Sequence, residues 1–275
     1  MKLAINTGYG YPELPLKEHL RLIKKAGFDA VFPKWDPGTD LSAFAAEARE
    51  AGLEIQSIHA PFGSISRMWE AEGWQEELAL QQECIRQAAA IGCPLVISHV
   101  FIGFVEEHPN EIGVQAFAKL LDFAQEQGVR IALENTEGES YLELLHSRLW
   151  DHPAVGFCWD SGHEQCYNYG KDLLARYGDK LLGTHLNDNF GITGESIYYL
   201  DDSHVLPLTG TIDWQNAARR LARLNLPEYL TFELITVNKR DRHTHDEYAN
   251  WSCEEFLARA HFAATVIRSW IEKTE

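Results

Sequence analysis

The chain has 275 residues, 45% hydrophobic and 24% charged, with 41 acidic against 24 basic side chains and a formal net charge of −17. That length accommodates one large core without requiring a second domain, and the apolar fraction is that of an ordinary globular protein. The acidity argues against a nucleic-acid partner, whose affinity rests largely on Lys and Arg neutralising phosphates.

No segment approaches the ~20 apolar residues of a membrane span, and the opening MKLAINTGYGYPELP has too short an apolar run for a signal peptide. Five widely spaced cysteines, an odd number in a chain too large to need staples, read as reduced thiols. A soluble, cytoplasmic protein without a membrane partner is the expectation.

In chain order, short apolar runs alternate with longer segments of helical period, which signals βα units and a parallel sheet. Leu3-Ala-Ile precedes a helix over 16–26, Ala30-Val-Phe one over 41–51, and Ile55-Gln-Ser-Ile one over 74–91. Leu95-Val-Ile leads to 114–127, Ile131-Ala-Leu to 141–149 and Val155-Gly-Phe-Cys to 172–177. Leu181-Leu-Gly-Thr then leads to 214–224, and Tyr229-Leu-Thr-Phe to 253–271. Gly27, Gly52, Gly92 and Gly128 stand where helix C-caps are expected. Eight such units with no Pro/Ser-rich linker predict a single α/β domain over 1–275, a (β/α)8 TIM barrel. A doubly wound sheet would bring a Gly-rich phosphate loop after its first strand, and NTGYGYPELP lacks that spacing. The stretch 187–212 is far longer than a usual βα loop, which marks it as functional.

In such a barrel every strand aims its C-terminal end at one face, and that face carries the chemistry. The third to eighth runs end in His59, His99, Glu134, Asp160, His185 and Glu233. Residues two apart share a face, and stepping back from most of these reaches small ones: Ser57, Ala132, Cys158, Gly183 and Thr231. His99 departs from this pattern, with Ile97 and Leu95 behind it. One strand-end His is usually hydrogen-bonded structure, but several buried carboxylates together repel one another and raise their pKa values unless a cation joins them. His with Asp and Glu suits a divalent metal ion: Mn, Zn, Co or Mg. His163 follows Asp160 by three residues at the start of the next loop, and the long loop offers Asp202 and His204, with Asp201 an alternative to Asp202. Trp35, Phe62, Trp69 and Phe101 are candidates for pocket walls or for plain packing, and Lys34 for meeting a carboxylate or phosphate or standing as a solvated charge.

The motifs SIHAPF, ALENT, DSGHE, THLNDN, DSHVLPLTGTIDW and TFEL, in this order at the strand ends, resemble the xylose-isomerase-like barrel superfamily of sugar isomerases, ketose 3-epimerases, inositol-catabolism enzymes and endonuclease IV. The resemblance implies one principal metal held by Glu134, Asp160, His185 and Glu233. It further implies a carbohydrate substrate chelating that metal, with Glu134 and Glu233 exchanging a carbon-bound proton through an enediolate and His163 contacting a substrate oxygen. Ketose epimerases of the group usually carry an arginine after the seventh-strand histidine, and none occurs between His185 and Trp214. The rival reading is an endonuclease IV-like multi-zinc phosphodiester hydrolase, whose nine ligands match the four residues above plus His59, His99, His163, Asp202 and His204. The acidic or neutral loops GSISRMWEAEGW and FIGFVEEHPNE weigh against it. Trp251 and Trp270 suit either a homo-oligomer interface or the packing of the last helix.

Overall fold

Strands covered on both faces read as continuous apolar runs. The computed structural model describes residues 1–274 and sets each of those runs in a parallel sheet. β1 (Lys2–Asn6) lies between β2 (Ala30–Phe32) and β9 (Tyr229–Phe232), and β2 pairs onward with β3 (Glu54–Ile55). β4 (Ile58–His59), β5 (Leu95–His99), β6 (Arg130–Glu134), β7 (Val155–Asp160) and β8 (Leu181–His185) follow in order in the second sheet. Both edges are joined. A Leu186–Phe232 bridge ties the end of β8 to β9, with Leu186 N donating to Thr231 O at 2.9 Å, and a Lys34–His59 bridge ties the exit of β2 to β4. The ring is that of a (β/α)8 barrel.

The third run is not one strand. It breaks at Gln56-Ser57, where Ser57 Oγ donates to Gln56 Oε1 at 2.6 Å, so β3 pairs with β2 while β4 pairs with β5. Gln56 N still donates to Val31 O at 2.9 Å and keeps the chain in the wall.

The helices are α1 (Leu16–Ala26), α2 (Leu41–Glu50), α3 (Trp74–Ala90), α4 (Glu111–Glu126), α5 (Glu139–Leu149), α6 (Ser161–Cys166), α7 (Leu173–Tyr177), α8 (Trp214–Leu221) and α9 (Cys253–Lys273). α1 stops at Gly27, whose φ of 109° is open to glycine and strained for other residues. α4 begins three residues before the sequence expectation because the Asn110 side chain caps it, accepting from Ile112 N and Gly113 N. α6 was not expected. Its six residues carry little helical period, and the cap that starts it is Asp160, a residue read from sequence only as a strand end.

Leu3, Ile5, Leu133 and Phe157 pack outward with helix residues such as Leu20, Phe117 and Phe256 in one continuous buried layer. Each such side chain contributes ~1.5–3 kcal/mol by leaving water. Inside the ring sits a smaller apolar plug of Leu95, Ile97, Ala132 and Cys158. This accounts for the large residues behind His99. A Cβ on Gly183 would stand 3.3 Å from Ile97 Cδ1, so Ile97 fills space that β8 leaves open. All five cysteines are buried and free, and among the described residues no helix is long and apolar enough to cross a membrane.

Candidate active site

Parallel strands deliver their C-terminal ends to one face of the ring. His59, His99, Glu134, Asp160 and His185 close β4 to β8, and Glu233 follows β9 directly. His163 enters from α6, and Asp202 and His204 fold in from the long loop. Ligand-capable atoms of Glu134, Asp160, His185 and Glu233 all lie within 4.8 Å of one another. The same holds for His59, His99 and Glu134, and for Asp160, His163 and His204.

The histidines are oriented by their other ring nitrogens. Nδ1–H of His59 donates to Ala60 O at 2.8 Å, that of His163 to Asn135 O at 2.9 Å, and that of His204 to Glu233 O at 3.0 Å. Each bond leaves Nε2 facing the mouth, an arrangement that suits metal ligation. His185 is reversed: Nδ1 faces Glu134 Oε1 at 2.8 Å and Glu233 Oε2 at 3.4 Å, and Phe32 stacks on the ring at 4.8 Å. His204 holds a left-handed φ of 51°, costly for a residue with a Cβ. Backbone bonds on either side enforce it, from Val205 N to Asp188 O and from Ile235 N to His204 O.

Asp160 is the most thoroughly held carboxylate. One oxygen accepts from His163 N at 2.7 Å and the other from Asn187 Nδ2 at 2.9 Å. Asn135 brackets the Asp160 backbone, accepting from its N–H at 2.8 Å and donating to its carbonyl at 2.9 Å. Sequence reading assigned neither asparagine a role. The signal was position alone, since Asn135 follows Glu134 and Asn187 stands two residues beyond His185 on the same face.

Burial opposes charge throughout this cluster, and neighbours decide the outcome. For Glu134, His185, His59 and His99 outweigh burial and hold the carboxyl well below the usual carboxylate range. Burial wins at Asp160, which is pushed up to about 6 against the pull of His163 and His204. His185 and His204 resist burial because carboxylates surround them, and both stand at about 9. His99 is driven down by burial. Cys158 is pushed well above its ordinary value by burial and then by Glu134, Asp160 and Glu233, so it stays a thiol.

The residues fit a divalent cation. Glu134 Oε2 is fully buried without a hydrogen-bond donor, although His59 Nε2 and His99 Nε2 each stand 3.4 Å away. Two atoms at ~2.1 Å from one tetrahedral ion are ~3.4 Å apart, so this spacing suits ligands more than hydrogen-bonded pairs. Leaving a buried carboxylate oxygen unpaired is costly otherwise.

Above the cluster lies a cavity of about 810 Å³, within the usual range for small-molecule sites. Phe32, Phe44, Phe62, Phe104, Tyr167 and Tyr199 line it. Of the four aromatics proposed as walls from sequence, Phe62 alone borders this cavity. Trp69 donates Nε1–H to Val100 O at 2.7 Å, Phe101 stacks on Tyr141 at 4.2 Å, and Trp35 belongs to the buried layer. Asp201 is spent elsewhere, accepting from Thr193 Oγ1 at 2.6 Å and from Arg242 at 2.9 Å, so Asp202 is the residue that faces the site. Trp270 is partly buried against the core, as is Trp251.

Comparisons with known proteins agree with this architecture. A family model described as "Xylose isomerase-like TIM barrel" matches residues 20–255. An uncharacterized protein of Sinorhizobium fredii, y4fM, is 31% identical over 261 residues, covering 79% of this chain and 80% of that protein. A human protein named as a candidate hydroxypyruvate isomerase is 29% identical over 160 residues, and the match spans 55% of this chain and 56% of that protein. Among solved structures, the IolI protein with a bound zinc atom superposes with a TM-score of 0.78 at 21% identity, covering 100% of this chain and 99% of that one. The chain belongs to the xylose isomerase-like TIM barrel family.

Proposed function

We propose that this protein is a divalent-metal-dependent isomerase or epimerase of a sugar or a sugar-like keto compound, with the ion held by Glu134, Asp160, His185 and Glu233. The observation that carries the reading is that the fully buried Glu134 and the partly exposed Glu233 both approach the single nitrogen His185 Nδ1, at 2.8 and 3.4 Å. Two carboxylates that converge on one site can remove a proton from one carbon and return one to another. A bound divalent cation would supply the stabilisation of oxyanion charge that makes a proton beside a carbonyl removable by a carboxylate. Asn187 and the His163 amide hold Asp160, the phenyl ring of Phe32 fixes the plane of His185, and the aromatic walls offer apolar surface to a bound molecule. His163 Nε2 points at the mouth, 3.5 Å from Asp202 Oδ2, and is the residue placed to donate to a substrate oxygen. The identities of the relatives support sugar or keto-compound chemistry, and the zinc in IolI supports a metal. Solvent-deuterium exchange into carbon of a panel of ketoses, aldoses and keto acids tests the reading. Incorporation lost in Glu134→Gln and Glu233→Gln is the expected result.

One observation favours a second reading, multi-metal phosphodiester hydrolysis. His59, His99 and Glu134, and separately Asp160, His163 and His204, have the spacing of further metal sites. Asp202 already has a cation partner in Lys239 at 3.1 Å, and the net charge of −17 opposes a polyanionic substrate. Metal stoichiometry separates the two: one ion per chain favours proton transfer, three favour hydrolysis.

A further inference from the structure

Asn6 and Phe32 close β1 and β2, so this sector of the mouth, across the ring from Glu134, contributes neither carboxylate nor imidazole. The cavity extends over it, and two lysines flank it. Lys34 lies two residues beyond β2 and Lys239 lies beyond β9, the two strands that pair with β1 on either side. They are the only Lys or Arg side chains lining the cavity among the described residues.

Each ammonium has a carboxylate partner, Lys34 from an exposed position with 43% of its side chain accessible and Lys239 from a more covered one at 22%. Lys34 Nζ sits 4.6 Å from the Phe62 ring centroid, with the half-exposed Asp36 carboxylate at 3.2 Å as its ion-pair partner. Lys239 Nζ donates to Tyr199 O at 2.9 Å and to Asp202 Oδ2 at 3.1 Å. An ammonium has three N–H groups, so Lys239 keeps one for the cavity it lines. Around both, Ile102, Phe104, Phe62 and Ile235 present apolar surface, which lowers the local dielectric and strengthens the pull on an anion. A free pentose or hexose at the metal-capable cluster would leave much of the 810 Å³ empty.

We propose that the substrate carries an anionic group, a carboxylate or a phosphate, remote from its reacting carbon, and that Lys34 and Lys239 receive it over the β1–β2 sector. This rests on the proton-transfer reading and adds the substrate class. Lys34 and Lys239 act as specificity determinants: they bind the far end and set which carbon stands between Glu134 and Glu233.

Two measurements test it on the full-length, Mn-loaded protein. Calorimetric titration with arabinitol, arabinonate and arabinitol 5-phosphate reads anion binding without turnover. At least tenfold tighter binding of one charged polyol, lost in Lys34→Met and Lys239→Met while arabinitol affinity is unchanged, is expected, and the preferred anion names the group. Equal affinities, no binding, or a preference that survives both substitutions overturns the proposal. Solvent-deuterium exchange into fructose, fructuronate and fructose 6-phosphate then reads the reaction. Faster exchange into a charged ketose, with kcat/KM reduced at least tenfold in the lysine variants, supports it. Absence of exchange in all three, alongside a retained charged-polyol preference, sinks the proton-transfer reading and leaves the anion site standing.

Discussion

The Asp160 carboxylate is clasped by Asn187, whose Nδ2 donates to Oδ2 at 2.9 Å, while the opposite oxygen caps the helix that carries His163. The same carboxylate therefore orients a neighbouring imidazole and is itself oriented by a side chain from the next strand exit. Replacing Asn187 by Ala removes the donor and leaves the carboxylate free to rotate. Outer partners of metal ligands typically govern 10–100-fold in affinity. Competition with a chelator is expected to show a loss of roughly that size, and an unchanged affinity would separate Asn187 from the metal site.

Glu134→Gln and Glu233→Gln keep side-chain volume and remove a base. A positioned acid or base contributes ~10²–10⁴-fold, so carbon–deuterium exchange is expected to fall by at least ~100-fold in each. Circular dichroism should show the fold intact, because each amide can still pair with His185. Wild-type exchange in either variant would contradict the two-carboxylate mechanism.

Proton competition gives a further outcome. Asp160 must be ionised to ligate, and its carboxyl stands at about 6 in the ion-free protein. His185 must also give up a proton to bind, from about 9. Binding of the ion therefore releases protons, and its affinity rises with pH across this range. Dialysis at graded pH followed by elemental analysis should show metal lost most steeply as pH falls through about 6. Retention of a full ion at pH 4 would place the ion on other ligands.

His245, beside Ser203 and His204 at the edge of the site, gives a stability test. Burial pushes its imidazole down to about 4, its Nε2 has no partner, and its Nδ1 faces Thr244 Oγ1 at 2.9 Å. Above the ordinary value of 6.5 both folded and unfolded forms are neutral, and the group contributes nothing to pH dependence. Between 6.5 and about 4 only the unfolded chain takes the proton, so stability falls as pH falls through this window. The loss attributable to this residue is on the order of 1–3 kcal/mol. His245→Gln should flatten the melting temperature against pH between 6.5 and 4, and a parallel curve would remove His245 from the linkage.

Much of this architecture was legible in the chain because its signals are periodic and local. Leu95-Val-Ile and Ile131-Ala-Leu are buried on both faces and so read as apolar runs, and the polar residues that end them stand out against that background. The break at Gln56-Ser57 was hidden, since a two-residue polar interruption inside Ile55–Ile58 looks like strand alternation. α6 was hidden as well, because six residues are too few to establish a period and its start is set by a tertiary role of Asp160. Which carboxylate of Asp201-Asp202 faces the site depends on Arg242 and Thr193, brought near only by folding. Lys239 was invisible for the same reason: its partners Tyr199 and Asp202 lie about 40 residues earlier, in a different loop.

The central claim concerns a single ion and four named residues. Crystals equilibrated with Mn²⁺ and measured at the manganese absorption edge test it most directly. The account predicts one dominant anomalous peak within about 2.0–2.4 Å of side-chain atoms of Glu134, Asp160, His185 and Glu233. A map with no peak there, or with the dominant peak on residues that exclude Glu134 and Glu233, would contradict it.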